Sequence, residues 1–233
     1  MNEDIAPLAR STHTISIAKM DAVIQTLKKE GVREAVMAGR VEHRKLFSDL
    51  IPDMRAAQLL LRVKDRRADS ILKAVAEEFQ KDGIALVPTT TFLSHLIPQP
   101  GVLTRRKPSD TEQKNIEFGM KMAMGLSSLD LGQTVVVSKK TVLAIEAIEG
   151  TDECIRRAAQ WGGENVVIVK SAKPNQDLRF DVPIVGITTI QVMKEVRAAV
   201  LAVEAGRTLM LEKDLCVETA NRNNIVIVAW KRE

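Results

Sequence analysis

The chain has 233 residues, of which 45% are hydrophobic and 27% are charged. This composition excludes disordered and fibrous proteins, and the length is enough for one large domain or two small ones. The 34 basic and 30 acidic residues leave a net charge of only +4, aromatic residues make up 3%, and tyrosine is absent. Both features argue against a nucleic-acid partner, and the shortage of rings also argues against an aromatic-walled sugar site.

The cysteines and the apolar segments indicate a cytoplasmic protein. Cys154 and Cys216 are too few for a disulfide framework and have no metal-site spacing. No apolar run reaches the length of a membrane span, and the N-terminus lacks the layout of a signal peptide. The basic excess falls in residues 1–108, with 18 basic and 13 acidic residues. Peripheral contact with a membrane therefore stays open.

The first hundred residues alternate helical periodicity with short apolar runs. The helical segments are 18–30, 54–63 and 69–80, and the strand-like runs are 35–37 and 84–87. This alternation is typical of an α/β layer on a largely parallel sheet. We therefore predict a Rossmann-like N-terminal domain over residues 1–97.

A proline-rich segment then separates this domain from a second one. Residues 98–108 include Pro98, Pro100, Pro108 and a basic triplet, which favours a linker. Ser109 and Glu112 directly after it have capping-box spacing and predict the start of a helix. We therefore place a second domain over residues 109–233.

The second domain is predicted to have a mixed-sheet α/β fold. An antiparallel hairpin turning at Lys139 and Lys140 precedes alternating elements. The helix 189–204 has valines at four-residue spacing and is interpreted as core or as a subunit contact, so self-association stays open. The predicted strands are 134–138, 141–147, 165–169, 184–187, 207–211 and 224–229, with helices at 152–160, 189–204 and 213–221.

A first candidate site is the loop 146–152, which runs from a strand end into a helix. It holds three carboxylates in seven residues and a glycine that lets the backbone approach a ligand. Such a loop could hold a hard cation such as Mg²⁺. The alternative is structural: Thr151 is a suitable N-cap, and Asp152 and Glu153 complement the positive end of the helix dipole.

A second candidate site is the loop 170–182, which follows a strand. Ligands of open α/β sheets bind beyond the carboxyl ends of strands, and a long loop without regular structure commonly has a binding role. Its cations could neutralise phosphates, and an aspartate could hold a metal or orient water. The alternative is a solvated turn. The ionisable residues of this loop are Lys170, Lys173, Asp177, Arg179 and Asp181.

Five segments together resemble the cytosolic, metal-dependent UDP-2,3-diacylglucosamine pyrophosphatase family of bacterial lipid A biosynthesis. The loop motif is Lys170-x-x-Lys173-Pro174-x-Gln176-Asp177-x-Arg179-Phe180-Asp181-x-Pro183-x-x-Gly186. The resemblance covers nearly the whole chain from about residue 18. The other four segments are VLAIEAIEGTD at 142–152, VMAGRV at 36–41, GVLTRR at 101–106 and VEAGRT at 203–208.

The resemblance implies two α/β domains and Mg²⁺-aided hydrolysis of UDP-2,3-diacylglucosamine to UMP and 2,3-diacylglucosamine 1-phosphate, a lipid phosphate. A family aspartate needed for catalysis falls on Asp181, with Asp177 as the alternative. Asp152 and Asp181 are the implied metal ligands, and Glu149 would line the opposite wall with Thr151 and Asp152. The implied substrate-binding residues are Gly150, Thr151, Lys170, Lys173, Gln176 and Arg179.

One departure affects the predicted activity. Members of this family usually begin with an apolar strand and a Gly-rich turn, and residues 1–19 show neither feature. The expectation is an incomplete N-terminal domain with fewer backbone donors for a phosphate or uridine. The alternative function is therefore a non-catalytic protein that binds a nucleotide sugar or a lipid phosphate.

Overall fold

The computed structural model describes residues 5–39, 51–63, 68–128, 131–173 and 176–232. Arg40 and Val41 of one family-like segment, and Pro174 of the loop motif, lie outside the described residues. The chain divides into two compact units, Met1–Pro88 and Thr89–Glu233. Each is described separately. Within the described ranges, no helix combines the length and the apolar composition needed to cross a bilayer.

The first unit packs helices beside a short parallel strand pair. Strand β1 (Glu34–Ala35) pairs in parallel with β2 (Ala85–Leu86). The predicted helices are present with slightly shifted ends, and the predicted strands are shorter than expected. The Rossmann-like character of this unit stays a prediction. Its described α-helices are α1 (Met20–Lys29), α2 (Met54–Arg62) and α3 (Ala68–Lys81).

A buried carboxylate ties α2 to α3. Glu78 is only 5% exposed and accepts hydrogen bonds from Lys81 at 2.6 Å, from Arg55 at 2.9 Å and from Arg62. These bonds, with that from Lys81 contributing most, lower the pKa of Glu78 from 4.5 to about 2. Because a buried charge is tolerated only when it is paired, this network constrains how the two helices pack.

We predict that Glu78→Gln destabilises the protein at pH 7 by about 1–3 kcal/mol, because charge-assisted hydrogen bonds are lost. The Glu78 pKa is lowered in the folded state, so its stabilising contribution is present above pH 4.5 and falls as the pH drops towards 2. Calorimetric unfolding should show a variant deficit at pH 7 that shrinks at pH 3. The exposed neighbour substitution Glu77→Gln is the control. A deficit of equal size at both pH values would contradict the assignment.

The second unit is built on a mixed six-stranded sheet. Strands β6 (Val167–Lys170), β8 (Val200–Glu204) and β10 (Val226–Trp230) are parallel neighbours. Strand β4 (Thr134–Ser138) runs antiparallel to β6 and forms a hairpin with β5 (Thr141–Ile145). The described sheet has the order β3 (Gly101–Val102), β10, β8, β6, β4, β5, and a separate parallel pair joins β7 (Ile184–Val185) to β9 (Leu209–Met210).

Helices cover both faces of this sheet, which explains why its central strands are apolar on both sides. On one face, α4 (Asp110–Ser128) buries Ile116 and Met120 against valines of β4 and β6. On the other face lie α5 (Thr151–Gly162), α6 (Ile187–Glu195) and α7 (Lys213–Arg222). The second unit is therefore an α/β sandwich with its core on both sides of one sheet.

Local sequence signals set two of the element boundaries as predicted. The Ser109 amide donates to the Glu112 carboxylate at 2.7 Å, and the Glu112 amide donates back to the Ser109 hydroxyl at 3.3 Å. This is the reciprocal bonding of a capping box at the start of α4. At the β4–β5 turn, Lys139 and Lys140 have φ values of 49° and 56°, as a two-residue type I′ hairpin requires.

The predicted helix 189–204 is wrong in its second half. Helix α6 ends at Glu195, Arg197 has a positive φ of 54°, and the chain then forms β8. The run from Val200 is buried on both sides between β6 and β10. A buried parallel strand has an unbroken apolar sequence, which periodicity alone cannot separate from a helix.

The segment 98–108, predicted as a linker, contributes to the second unit. Within it, β3 pairs antiparallel with β10. The Thr104 hydroxyl accepts a hydrogen bond from the Ile227 amide at 3.1 Å. Arg106 forms an ion pair with Glu112 at 2.8 Å. The prolines therefore flank an edge strand, a position in a sheet that tolerates proline. The domain boundaries predicted at residues 97 and 109 stay a prediction.

We predict that Gly119→Ala lowers the free energy of unfolding by about 1–3 kcal/mol relative to Gly125→Ala, since overpacking a rigid core is destabilising. A Cβ at Gly119 would lie 2.9 Å from Val169 Cγ1, whereas one at Gly125 meets nothing within 4 Å. Chemical unfolding monitored by tryptophan fluorescence measures both variants. Equal stability of the two would contradict this packing.

Candidate active site at the carboxyl edge of the sheet

Four polar side chains meet at one edge of the sheet. Lys170 ends β6 and Glu204 ends β8, so both lie at the carboxyl edge of the parallel strands. Thr134 begins the antiparallel β4 and is the register partner of Lys170. Glu146 follows β5, and its amide donates to the Thr134 carbonyl at 2.9 Å. This is the edge at which open α/β sheets bind ligands.

Lys170 places a positive charge almost completely out of solvent. The residue is 6% exposed, and its Nζ donates to the Thr151 hydroxyl at 2.6 Å and to the Thr134 hydroxyl at 3.4 Å. Burial lowers the pKa of the Lys170 ammonium, while the charges of Glu146, Asp152 and Asp181 act in the opposite direction. A buried cation with negative groups around it is characteristic of a functional site.

The start of α5 brings Thr151 to Lys170. Gly150 is the N-cap residue and has a φ of 85°, a conformation that glycine adopts without strain. Thr151, expected as the N-cap, is instead the first helical residue. Its hydroxyl donates to Glu146 Oε1 at 2.9 Å, which leaves its oxygen to accept from Lys170. The Thr151 hydroxyl therefore bonds to Glu146 and Lys170 and does not cap the helix.

The other carboxylates of this loop point to different partners. Asp152 Oδ1 accepts the Thr189 hydroxyl of α6 at 2.9 Å, which links the first turns of two helices. Glu149 is paired with Arg157, and that hydrogen bond lowers the pKa of Glu149. Thus Asp152 is directed towards α6, whereas Glu149 pairs with Arg157 and accepts the Ala147 amide of its own loop at 3.2 Å.

The loop after β6 is held by hydrogen bonds from its first residue. The Ser171 amide donates to the Gln133 carbonyl at 3.0 Å, and the Ala172 amide donates to the buried Glu204 carboxylate at 2.8 Å. Arg207 lies 3.5 Å from Glu204 and donates to the Lys173 carbonyl at 3.0 Å. These contacts fix the loop on the ends of β4 and β8.

Gln176 closes the loop on itself. Its side-chain oxygen accepts the Lys173 amide at 2.7 Å, and its side-chain nitrogen donates to the Asp181 carbonyl at 2.8 Å. The Lys173 ammonium lies 3.7 Å from Asp181 Oδ2, and the Asp181 side chain is 33% exposed. The structure therefore brings Lys173, Gln176 and Asp181 together, with the Asp181 carboxylate partly accessible.

Arg179 is directed towards Asp177, two residues earlier. Its guanidinium donates to the two carboxylate oxygens at 2.9 and 2.7 Å and lies 5.5 Å from the centre of the Phe180 ring. This bidentate bond raises the pKa of Arg179 and holds a tight local turn. Asp177, the alternative catalytic aspartate, is thus engaged by Arg179.

Comparison with known proteins matches both units. The family described as LpxI C-terminal domain matches residues 99–228, and the family described as LpxI N-terminal domain matches residues 1–96. The UDP-2,3-diacylglucosamine pyrophosphatase LpxI of Caulobacter vibrioides is 31% identical over 219 residues, which cover 89% of this chain and 78% of that protein. The chain belongs to the LpxI family. This membership confirms the resemblance at the level of the family.

Several residues of this LpxI-family site were absent from the predicted set. The place of Thr134 in the site follows only from the strand register, which puts it opposite Lys170. Glu204 ends a strand that the sequence reading assigned to a helix, so its position at the edge was hidden. Glu146 lies in the first predicted loop but was not among the predicted site residues, and its role follows from its bond to Thr151. The remaining additions are Thr189 and Arg207, whose roles depend on contacts between elements distant in the chain.

The implied magnesium ion would need carboxylate ligands near the phosphates of the substrate. Within the described ranges, no group of three or more His, Cys, Asp or Glu residues is arranged to hold a metal. Mg²⁺ is commonly bound by one or two carboxylates together with substrate phosphates. Asp152 and Asp181, which both act on the Lys170 charge, fit that mode and not an all-protein cage.

The two cysteines are core residues, as the sequence indicated. Both are buried, and burial raises the pKa of the Cys154 thiol to about 12 and that of Cys216 to about 11. At neutral pH both thiols are protonated and hence poor nucleophiles.

We predict that Gln176→Ala increases hydrogen exchange at the Lys173 amide about five- to tenfold, because that amide loses a hydrogen bond worth roughly 1 kcal/mol. Mass spectrometry of the peptide covering residues 171–183 measures the change. Gln113→Ala, which removes an exposed Gln113–Glu117 bond on α4, is the control. Unchanged exchange in the Gln176 variant would contradict the closed loop.

Proposed function

We propose that this chain hydrolyses UDP-2,3-diacylglucosamine to UMP and 2,3-diacylglucosamine 1-phosphate, a step of lipid A biosynthesis. Water adds across one P–O bond of the diphosphate, so that each product carries one phosphate. The similar Caulobacter protein is named for this pyrophosphatase activity. The observation that carries the proposal is the buried Lys170 ammonium at the carboxyl edge, followed by a loop that holds the Lys173–Asp181 ion pair.

The cations of the site suit a diphosphate. Lys170 and Lys173 each carry a positive charge on the rim of the sheet, and the first turns of α5 and α6 are joined there through Asp152 and Thr189. Helix N-termini favour anions because their amides and dipoles point outwards. Placed before the reaction begins, these groups stabilise charge that develops on the phosphate oxygens.

Asp152 and Asp181 are the side chains that would hold Mg²⁺ together with diphosphate oxygens. When bound, the ion supplies a Lewis acid that withdraws charge from the phosphate being attacked. Lys173, 3.7 Å from Asp181 Oδ2, forms an ion pair with the Asp181 carboxylate and orients it. An ionised Asp181 can also accept a hydrogen bond from the attacking water and so direct a lone pair of that water at phosphorus.

The decisive experiment measures UMP release from UDP-2,3-diacylglucosamine as a function of Mg²⁺. We expect Mg²⁺-dependent release that a chelator abolishes, and a loss of at least about 10²-fold in kcat for Asp181→Asn, because a group acting on water or metal is removed. The control is Asp110→Asn, an exposed substitution on α4.

Two outcomes would overturn the proposal. Full activity of the folded Asp181→Asn variant would remove Asp181 from the chemistry. Binding of UMP or of the lipid phosphate with no turnover at any Mg²⁺ concentration would instead support the non-catalytic binding protein. Calorimetric unfolding of each variant establishes that a loss of activity is not a loss of fold.

A further inference from the structure

We propose that Glu146 is a positioning residue that acts through the Thr151 hydroxyl to hold the Lys170 ammonium at the carboxyl edge. Its effect on turnover rests on the proposed function, whereas its effect on Lys170 itself does not. The relevant contacts are Lys170 Nζ to Thr151 Oγ1 at 2.6 Å, Thr151 Oγ1 to Glu146 Oε1 at 2.9 Å, and Lys170 Nζ to Glu146 Oε2 at 3.8 Å.

The directions of these hydrogen bonds are fixed by chemistry. An ammonium group has only donors, so Thr151 must accept from Lys170. An ionised carboxylate has only acceptors, so the single Thr151 hydrogen is available for Glu146 Oε1. The two bonds therefore orient the hydroxyl together: with its hydrogen directed at Glu146, its lone pairs face Lys170 and Thr134, whose Oγ1 lies 3.4 Å from Thr151 Oγ1. Without the carboxylate the hydrogen can turn towards Thr134, and the lone pairs are no longer held on Lys170.

The second carboxylate oxygen provides charge compensation. Among the described residues, Glu146 Oε2 is buried and has no hydrogen-bond partner. At 3.8 Å it is too far from Lys170 Nζ for a hydrogen bond but close enough for a strong ionic attraction in a site shielded from water. A buried acceptor left without a donor is unfavourable unless such a charge compensates it.

The arrangement leaves part of Lys170 available. Its ammonium has three hydrogens, and the hydrogen bonds of the described residues use two of them, on Thr151 and Thr134. The Thr134 contact at 3.4 Å is long. Glu146 and Thr151 thus hold the ammonium from one side, and the third hydrogen remains for an anionic ligand such as a phosphate oxygen.

A double-mutant cycle tests whether Glu146 acts through Thr151. The variants are Glu146→Gln, Thr151→Val and the two combined. Thr151→Ser retains the hydroxyl, and Glu164→Gln, from an exposed ion pair with Arg197, is the control. We expect Glu146→Gln and Thr151→Val each to lower kcat/KM for UDP-2,3-diacylglucosamine about 10- to 100-fold and Thr151→Ser to recover most of the loss. The combination should lose clearly less than the product of the two single losses, and the remaining additive part is the direct attraction between Glu146 and Lys170.

Lysine labelling gives a readout that does not depend on turnover. The rate at which an amine-reactive reagent modifies Lys170 is measured by mass spectrometry relative to exposed Lys121 in the same molecule. We expect slow labelling in the wild type, faster labelling by at least about fivefold in Glu146→Gln and in Thr151→Val, and an increase in the combination that is clearly smaller than the product of the two single increases. Unfolding midpoints of all variants are measured in parallel.

The two readouts separate failure of the function from failure of this inference. If the wild type releases no UMP but Lys170 labelling follows the expected non-additive pattern, the proposed function fails and the positioning role stands. If the wild type is active but the two single effects multiply in the combination, or Thr151→Ser is as impaired as Thr151→Val, the positioning role is wrong.

Discussion

The Lys170 ammonium lies at the end of a central strand with almost no access to water, and this single charge constrains its surroundings. A cation in such a place is stable only when acceptors and negative charges compensate it. Thr151 and Thr134 supply the acceptors, and Glu146 supplies the nearest charge. The start of α5, the end of β5 and the start of β4 must therefore meet at this point. Compensation of the Lys170 charge therefore explains why these three segments lie together.

The loop after β6 completes the site because it is fixed at its base and closed by its own side chains. Glu204 and Gln133 hold its first amides, and Gln176 joins Lys173 to Asp181. Since backbone groups satisfied in this way open less often, the side chains they orient stay in place before a ligand arrives. Asp181 is partly exposed beside Lys173 in this loop.

Structural features set by a few neighbouring residues were predicted correctly from the sequence, whereas contacts that depend on the register between strands were not. The Ser109 and Glu112 capping box and the Lys139–Lys140 turn follow from short-range chemistry, so they were predictable. The two charged loops could be selected because they follow strands. By contrast, the neighbours of Lys170 follow from the strand register, and Glu204 was assigned to a helix. Gln176 was predicted to bind substrate, but its described hydrogen bonds close the loop. No local pattern indicates that Glu78 is buried, since two of its three partners, Arg55 and Arg62, lie on a different helix.

The proposed function requires that an anionic phosphate binds to Lys170 at the carboxyl edge of the sheet in the second unit. The most direct measurement is a crystal structure of the full chain with Mg²⁺ and both products, UMP and 2,3-diacylglucosamine 1-phosphate. We expect a phosphate oxygen within hydrogen-bond distance of Lys170 Nζ, on the side opposite Thr151, with Asp181 facing the same phosphate. Phosphate density elsewhere, with Lys170 bound only to protein groups and Asp181 remote from the ligand, would contradict it.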